Sequence, residues 1–124
     1  MKSILVITLF VSLGIQQLGC ATSADNATDH YKRGVGLQDK GDLEGAIAEY
    51  RTALRLNPND VAAHYNLGVT LKAKGDFVLA GQELEAALRL IPQTPENQAR
   101  IKTIQSILSD LDKPQPSISQ ELPR

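Results

Sequence analysis

The sequence predicts an all-α fold: a short right-handed α-solenoid of two helix-turn-helix repeats closed by a C-terminal capping helix. Three observations carry that prediction. Residues 27–60 and 61–94 are one motif written twice, 34 positions apart, sharing His30/His64, Tyr31/Tyr65, Gly34/Gly68, Leu37/Leu71, Ala46/Ala80, Glu49/Glu83, Ala53/Ala87 and Pro58/Pro92 among others. A fixed period of that size marks a stack of supersecondary units that bury their apolar faces against one another. Within each copy the step Lys-Gly-Asp, at 40–42 and again at 74–76, encodes a turn. Beyond the copies, Ile101, Ile104, Ile107, Leu108 and Leu111 recur at three- and four-residue steps, which is one apolar face of a further helix.

Taken in order, residues 1–19 read as a secretory signal. Lys2 gives a basic start, Ile4 to Ile15 is an apolar run broken only by Thr8, Ser12 and Gly14, and small residues follow. The run is short for a membrane span, which needs about 20 apolar residues. Residues 20–26 form a tether. In the first repeat, 27–60, Gly41 supplies the left-handed turn between two helices and Asp42 the N-cap of the second. Pro58 ends that helix because proline cannot continue it, and Asn57-Pro58-Asn59-Asp60 turns the chain into the second repeat with Asp60 as cap. The second repeat, 61–94, follows the same plan with Gly75, Asp76 and Pro92. Thr94-Pro95-Glu96 opens the capping helix, 95–111, with Thr94 as cap and proline in the first turn. Residues 112–124 place Pro114, Pro116 and Pro123 among Ser and Gln without apolar periodicity, and are expected to be disordered.

Composition excludes several functions. Without Lys2 of the signal, 12 basic residues face 14 acidic ones, with no basic stripe, so nucleic-acid binding is not expected. No Cys-x-x-Cys or His-x-x-x-His pair offers metal-ligand spacing, so no metal or other cofactor is expected. His30 and His64 stand at one repeat position and read as packing equivalents. Asp42 and Asp76 read as helix caps rather than a catalytic carboxylate pair. Gly34-Val35-Gly36 lies inside a helix, away from any phosphate-loop context. The chain is not expected to be an enzyme.

Position by position, each copy resembles the tetratricopeptide repeat. Counted from Ala27 and Val61, the small eighth and twentieth positions are Gly34/Gly68 and Ala46/Ala80, which let paired helices approach to about 8 to 10 Å. Leu37/Leu71, Tyr50/Leu84, Ala53/Ala87 and Pro58/Pro92 fill further positions of the motif. Two positions depart from it: His30/His64 stand where Trp is usual, and Arg33 answers Leu67 at the seventh position. The resemblance implies a concave groove lined by the first helices. Its residues here are Thr28, Tyr31, Lys32, Val35, Gln38 and Asp39, then Ala62, Tyr65, Asn66, Val69, Lys72 and Ala73. Tyr31 and Val35, like Tyr65 and Val69, share one helix face, and tyrosine offers area together with a hydroxyl. The alternative is that these tyrosines are core. Members that clamp a peptide's terminal carboxylate use a set of Lys, Asn and basic residues of which only Asn66 and Arg100 occur here, so an internal segment of a partner is expected in the groove.

Gly19-Cys20, preceded by Gln17-Leu18, resembles the lipobox of bacterial lipoproteins, which implies a lipid anchor on Cys20 and, with Ala21 following, delivery to the outer membrane. Ordinary cleavage after Ala21, giving a soluble periplasmic protein, is the other route. Together these readings imply a non-catalytic adaptor for another protein of the bacterial cell envelope. Alternatives are a homo-oligomeric scaffold and an accessory subunit of an envelope complex. Two repeats and a cap are few for a solenoid, so self-association or a partner is expected to add stability.

Overall fold

Each copy of the repeat folds into a helix pair because its glycine reverses the chain between two amphipathic stretches. In the computed structural model, which describes residues 26–114, the order is α1 (Ala27–Asp39), α2 (Leu43–Leu56), α3 (Val61–Lys74), α4 (Phe77–Leu90), a 3₁₀ turn (Pro95–Asn97) and α5 (Gln98–Leu111). The signal, Cys20, nearly all of the tether, and the tail from residue 115 lie outside the described residues. Gly41 and Gly75 have φ of 79° and 97°, a left-handed backbone that glycine adopts without steric cost. The described residues contain helices and turns and no strand, the all-α solenoid that the repeat predicts.

Side chains close most helix starts. Asn26 accepts from the Asp29 N–H at 2.9 Å, Asp42 from Gly45 at 2.9 Å, and Asp60 from Ala62 and Ala63 at 3.0 and 3.1 Å. Two expected caps differ. Asp76 makes no cap bond; its carboxylate instead lies 3.4 Å from the Lys74 ammonium, an ion pair that competes for the same oxygens. Thr94 makes no cap bond either, because the chain first tightens into the 3₁₀ turn. Asn97 holds that turn by donating back to Thr94 Oγ1 at 3.2 Å and to the Pro92 carbonyl at 3.1 Å, and α5 begins at Gln98. The fully exposed Glu96 carboxyl is held below its ordinary range by its own backbone N–H and by Thr94.

Close packing explains the small residues. A Cβ at Gly34 would stand 2.6 Å from the Tyr50 ring, and one at Gly68 2.7 Å from Leu84, so each glycine is the seat of the large residue opposite it. Two apolar clusters result. One joins Ala46, Ile47, Tyr50, Leu67, Leu71 and Ala80 across the repeats; the other seats Ile101 and Ile104 of α5 on Leu84, Ala87 and Ile91. The departure at the seventh position also has a physical reason. Leu67 is buried against α2, whereas Arg33, on the first described helix, is exposed and reaches Glu49 at 3.2 Å.

The histidines are packing equivalents that also carry a polar bond. His30 Nδ1 lies 2.6 Å from Glu49, and His64 Nδ1 lies 2.7 Å from Glu83, so each repeat ties its first helix to its second through the same pair. The buried Tyr50 hydroxyl donates to Gln38 at 2.7 Å, and Thr70 Oγ1 lies 3.1 Å from the same amide oxygen. Gln38 therefore links α2 and α3 through α1. Burial pushes the Tyr50 phenol up to about 12, with Tyr31 adding to the effect. Among the described residues no buried side-chain nitrogen or oxygen lacks a hydrogen-bond partner.

Candidate functional site

The first helices of the two repeats and α5 lie side by side and leave a groove of about 360 Å³. Tyr31 comes from α1. Val61, Ala62, Tyr65 and Asn66 come from the first two turns of α3, where the Asp60 cap fixes the helix start. Ile91 forms the end beyond α4, and Arg100, Thr103 and Ile104 form the α5 wall. The α5 wall is held by Ile101 and Ile104, which are 4% and 2% exposed, so Arg100 and Thr103 project from an anchored helix.

The chemistry of the groove is aromatic and aliphatic with few polar groups. Asn66 donates to the Tyr31 hydroxyl at 3.0 Å, leaving that hydroxyl's own proton to be donated elsewhere. The Tyr31 and Tyr50 rings lie 5.9 Å apart, tilted by 45°, so Tyr31 is anchored from behind. Tyr31 is thus both partner of the core and wall of the groove. Arg100 is the one formal charge in the lining; it is exposed and has no ion pair among the described residues. An apolar cleft with a few fixed polar groups suits a side chain or short segment with apolar area and hydrogen-bond acceptors.

Of the residues that the family resemblance implied, Tyr31, Ala62, Tyr65, Asn66 and Arg100 meet in this groove. Thr28, Lys32, Val35, Gln38, Asp39, Val69, Lys72 and Ala73 do not line it. Val35 packs against the first core cluster, Gln38 is engaged with Tyr50 and Thr70, Val69 and Lys72 are half-buried, and Lys32 is exposed. Sequence reading passed over Val61, Ile91, Thr103 and Ile104. Thr103 was within reach of the repeat numbering, since it holds the ninth position when α5 is counted as a third unit from Pro95. Ile91 follows a helix end, where periodicity gives no signal.

Among the described residues, no three or more His, Cys, Asp or Glu side chains cluster in a way that could hold a metal ion, and no helix is long and apolar enough to cross a membrane.

Comparison with known proteins yields two family models, described as TPR repeat over residues 37–75 and tetratricopeptide repeat over residues 61–94. No curated protein matches the chain. Among solved structures, the type III secretion translocator chaperone SycD of Yersinia enterocolitica is similar with a TM-score of 0.68 and 19% identity. The match covers 86% of this chain and 78% of that one, and shows a shared fold.

Proposed function

Because this chain belongs to the tetratricopeptide repeat family, we propose that it is a non-catalytic adaptor holding a peptide or helix of another protein in the groove between α1, α3 and α5. The observation that carries this reading is the convergence of Tyr31, Tyr65, Asn66 and Arg100, from three separate helices, on one groove. Its size suits one or two apolar side chains of a partner. Arg100, which has no ion pair among the described residues, sets orientation more than affinity. A solved neighbour of the same fold is a type III secretion translocator chaperone.

The apolar run at Ile4 to Ile15 and the single cysteine at position 20 extend the proposal to place. The protein acts in the bacterial cell envelope, exported and tethered to the outer membrane by lipid on Cys20, and its partner is another envelope protein. Mass measurement of the processed chain decides this. A diacylated or triacylated Cys20 as first residue supports the anchor, and an unmodified chain starting at Thr22 replaces it with a soluble periplasmic protein.

Partner capture from cells, with Tyr65→Ala and Arg100→Glu variants, tests the groove. Capture of a heterologous protein that each variant reduces, with helix content unchanged, supports the adaptor. Capture indifferent to both variants removes it.

A further inference from the structure

The outer side of α4 differs from its counterpart on α2, and the first repeat supplies the comparison. On α2, Ile47 is 3% exposed in one cluster with Leu67 and Leu71 of α3, and Glu44 reaches the Lys74 ammonium at 2.8 Å. The residues 34 positions on are Gly81 and Val78. Val78 is 76% exposed, and a Cβ at Gly81 would meet nothing within 4 Å. Both face a groove of about 300 Å³ between α4 and α5, walled by Phe77, Leu108 and Leu111.

Glycine inside a helix lowers stability relative to alanine. Gly34 and Gly68 are explained by the side chains that sit on them, whereas Gly36 and Gly81 have no such neighbour among the described residues, and Gly81 also lines the groove that Val78 faces. A missing side chain beside an exposed valine makes a slot into which a ridge of another helix fits. The rim of the slot is acidic. Glu85 and Asp112 line the slot, Asp76 lines the neighbouring hollow that shares Phe77 and Val78 with it, and no basic residue lines either. Asp76 faces Lys74 at 3.4 Å and Glu85 lies 3.9 Å from Arg89, while Asp112 has no ion pair among the described residues.

We propose that this groove is a second docking surface, which takes an amphipathic helix of a partner protein whose apolar stripe is bordered by Lys or Arg. The helix lies where the second helix of a third repeat would pack, beside α5. A second copy of the same patch sets acid against acid, which costs affinity. The opposite end of the solenoid carries Asp29 and Arg33 where the second repeat has Ala63 and Leu67, so it presents no apolar stripe to the slot. The surface is separate from the groove of Tyr31 and Tyr65, and stands whether or not that groove binds.

The test uses two synthetic helices of about 18 residues, or five turns, with one leucine stripe in common and either Lys or Glu along its borders. Their binding to the processed chain, isolated from an expressing bacterium, is read by fluorescence anisotropy. The Lys-bordered helix is expected to bind saturably and at least about tenfold more tightly than the Glu-bordered one. Gly81→Leu fills the slot while raising helix propensity, so binding falls about tenfold or more and the melting temperature does not fall. Equal binding of the two helices overturns the proposal, as does undiminished binding to Gly81→Leu. Loss of binding in Arg100→Glu with Gly81→Leu unaffected moves the helix to the other groove and also overturns it. A parent chain that sediments as a dimer and becomes a monomer on Val78→Lys replaces the partner with a second copy.

Discussion

Asn66 donates a 3.0 Å hydrogen bond to the Tyr31 hydroxyl, joining the first helices of the two repeats at the wall of the groove. The bond belongs to both fold and site, since it couples the repeats and sets the position of an aromatic wall. A cycle of Tyr31→Phe, Asn66→Ala and the double variant is expected to give a coupling of about 0.5–1.5 kcal/mol in urea unfolding. A coupling indistinguishable from zero means that the repeats are held by apolar contact alone.

Glycines separate into two groups by what surrounds them. Gly34→Ala places a methyl 2.6 Å from Tyr50, and Gly68→Ala places one 2.7 Å from Leu84 and 3.2 Å from the Ala80 carbonyl. Each is expected to destabilise by about 1–3 kcal/mol through overpacking. Gly36→Ala meets nothing within 4 Å in the middle of α1 and is expected to stabilise by about 0.5–1 kcal/mol. Thermal melts of the three variants check the order.

Acid weakens the fold partly through Glu49. The hydrogen bond from His30 holds this carboxyl below its ordinary value of 4.5 against the opposing effect of burial, with Arg33 adding to the lowering. A lowered carboxylate contributes stability that is present above the unfolded value and is lost as pH falls through the folded one. The stability difference between the parent chain and Glu49→Gln is therefore expected to be constant near neutrality and to shrink as pH falls below 4.5. A difference unchanged at pH 3 or thereabouts contradicts the assignment.

Alkali acts through Tyr50. Its phenol stays protonated in the fold up to about 12, against an ordinary 10.0, chiefly because it is buried. The unfolded chain ionises first, so this contribution is complete below pH 10 and is lost as pH rises through about 12. In Tyr50→Phe that part of the alkaline loss disappears, while stability at neutral pH falls by about 1 kcal/mol because Gln38 loses its donor. Urea unfolding of both chains from neutral to alkaline pH measures the two effects.

The repeat period made most of the fold legible, because Gly34, Gly68, Ala46 and Ala80 are small for one packing reason and recur at one spacing. The turns at Gly41 and Gly75 were legible for the same reason. Asp76 and Thr94 were not, since a cap competes with an ion pair in one case and a 3₁₀ turn in the other, and both depend on neighbours that the local sequence does not rank. The groove was partly legible. Tyr31, Tyr65, Asn66 and Arg100 follow the repeat numbering, whereas Val35 and Gln38 follow it equally well and point inward, because a helix face narrower than the motif meets the next helix there. The bonds of His30 to Glu49 and His64 to Glu83 span 19 positions, a distance at which identical spacing in both copies was the only available sign.

Photo-crosslinking from Thr103, with Arg51 on the outer side of α2 as control, tests the central claim most directly. In cells carrying the full chain, Thr103 is expected to link one heterologous protein that Arg51 does not link, and Arg100→Glu is expected to remove the product. Equal products from both positions, or products made only of the protein itself, contradict an adaptor that works through this groove.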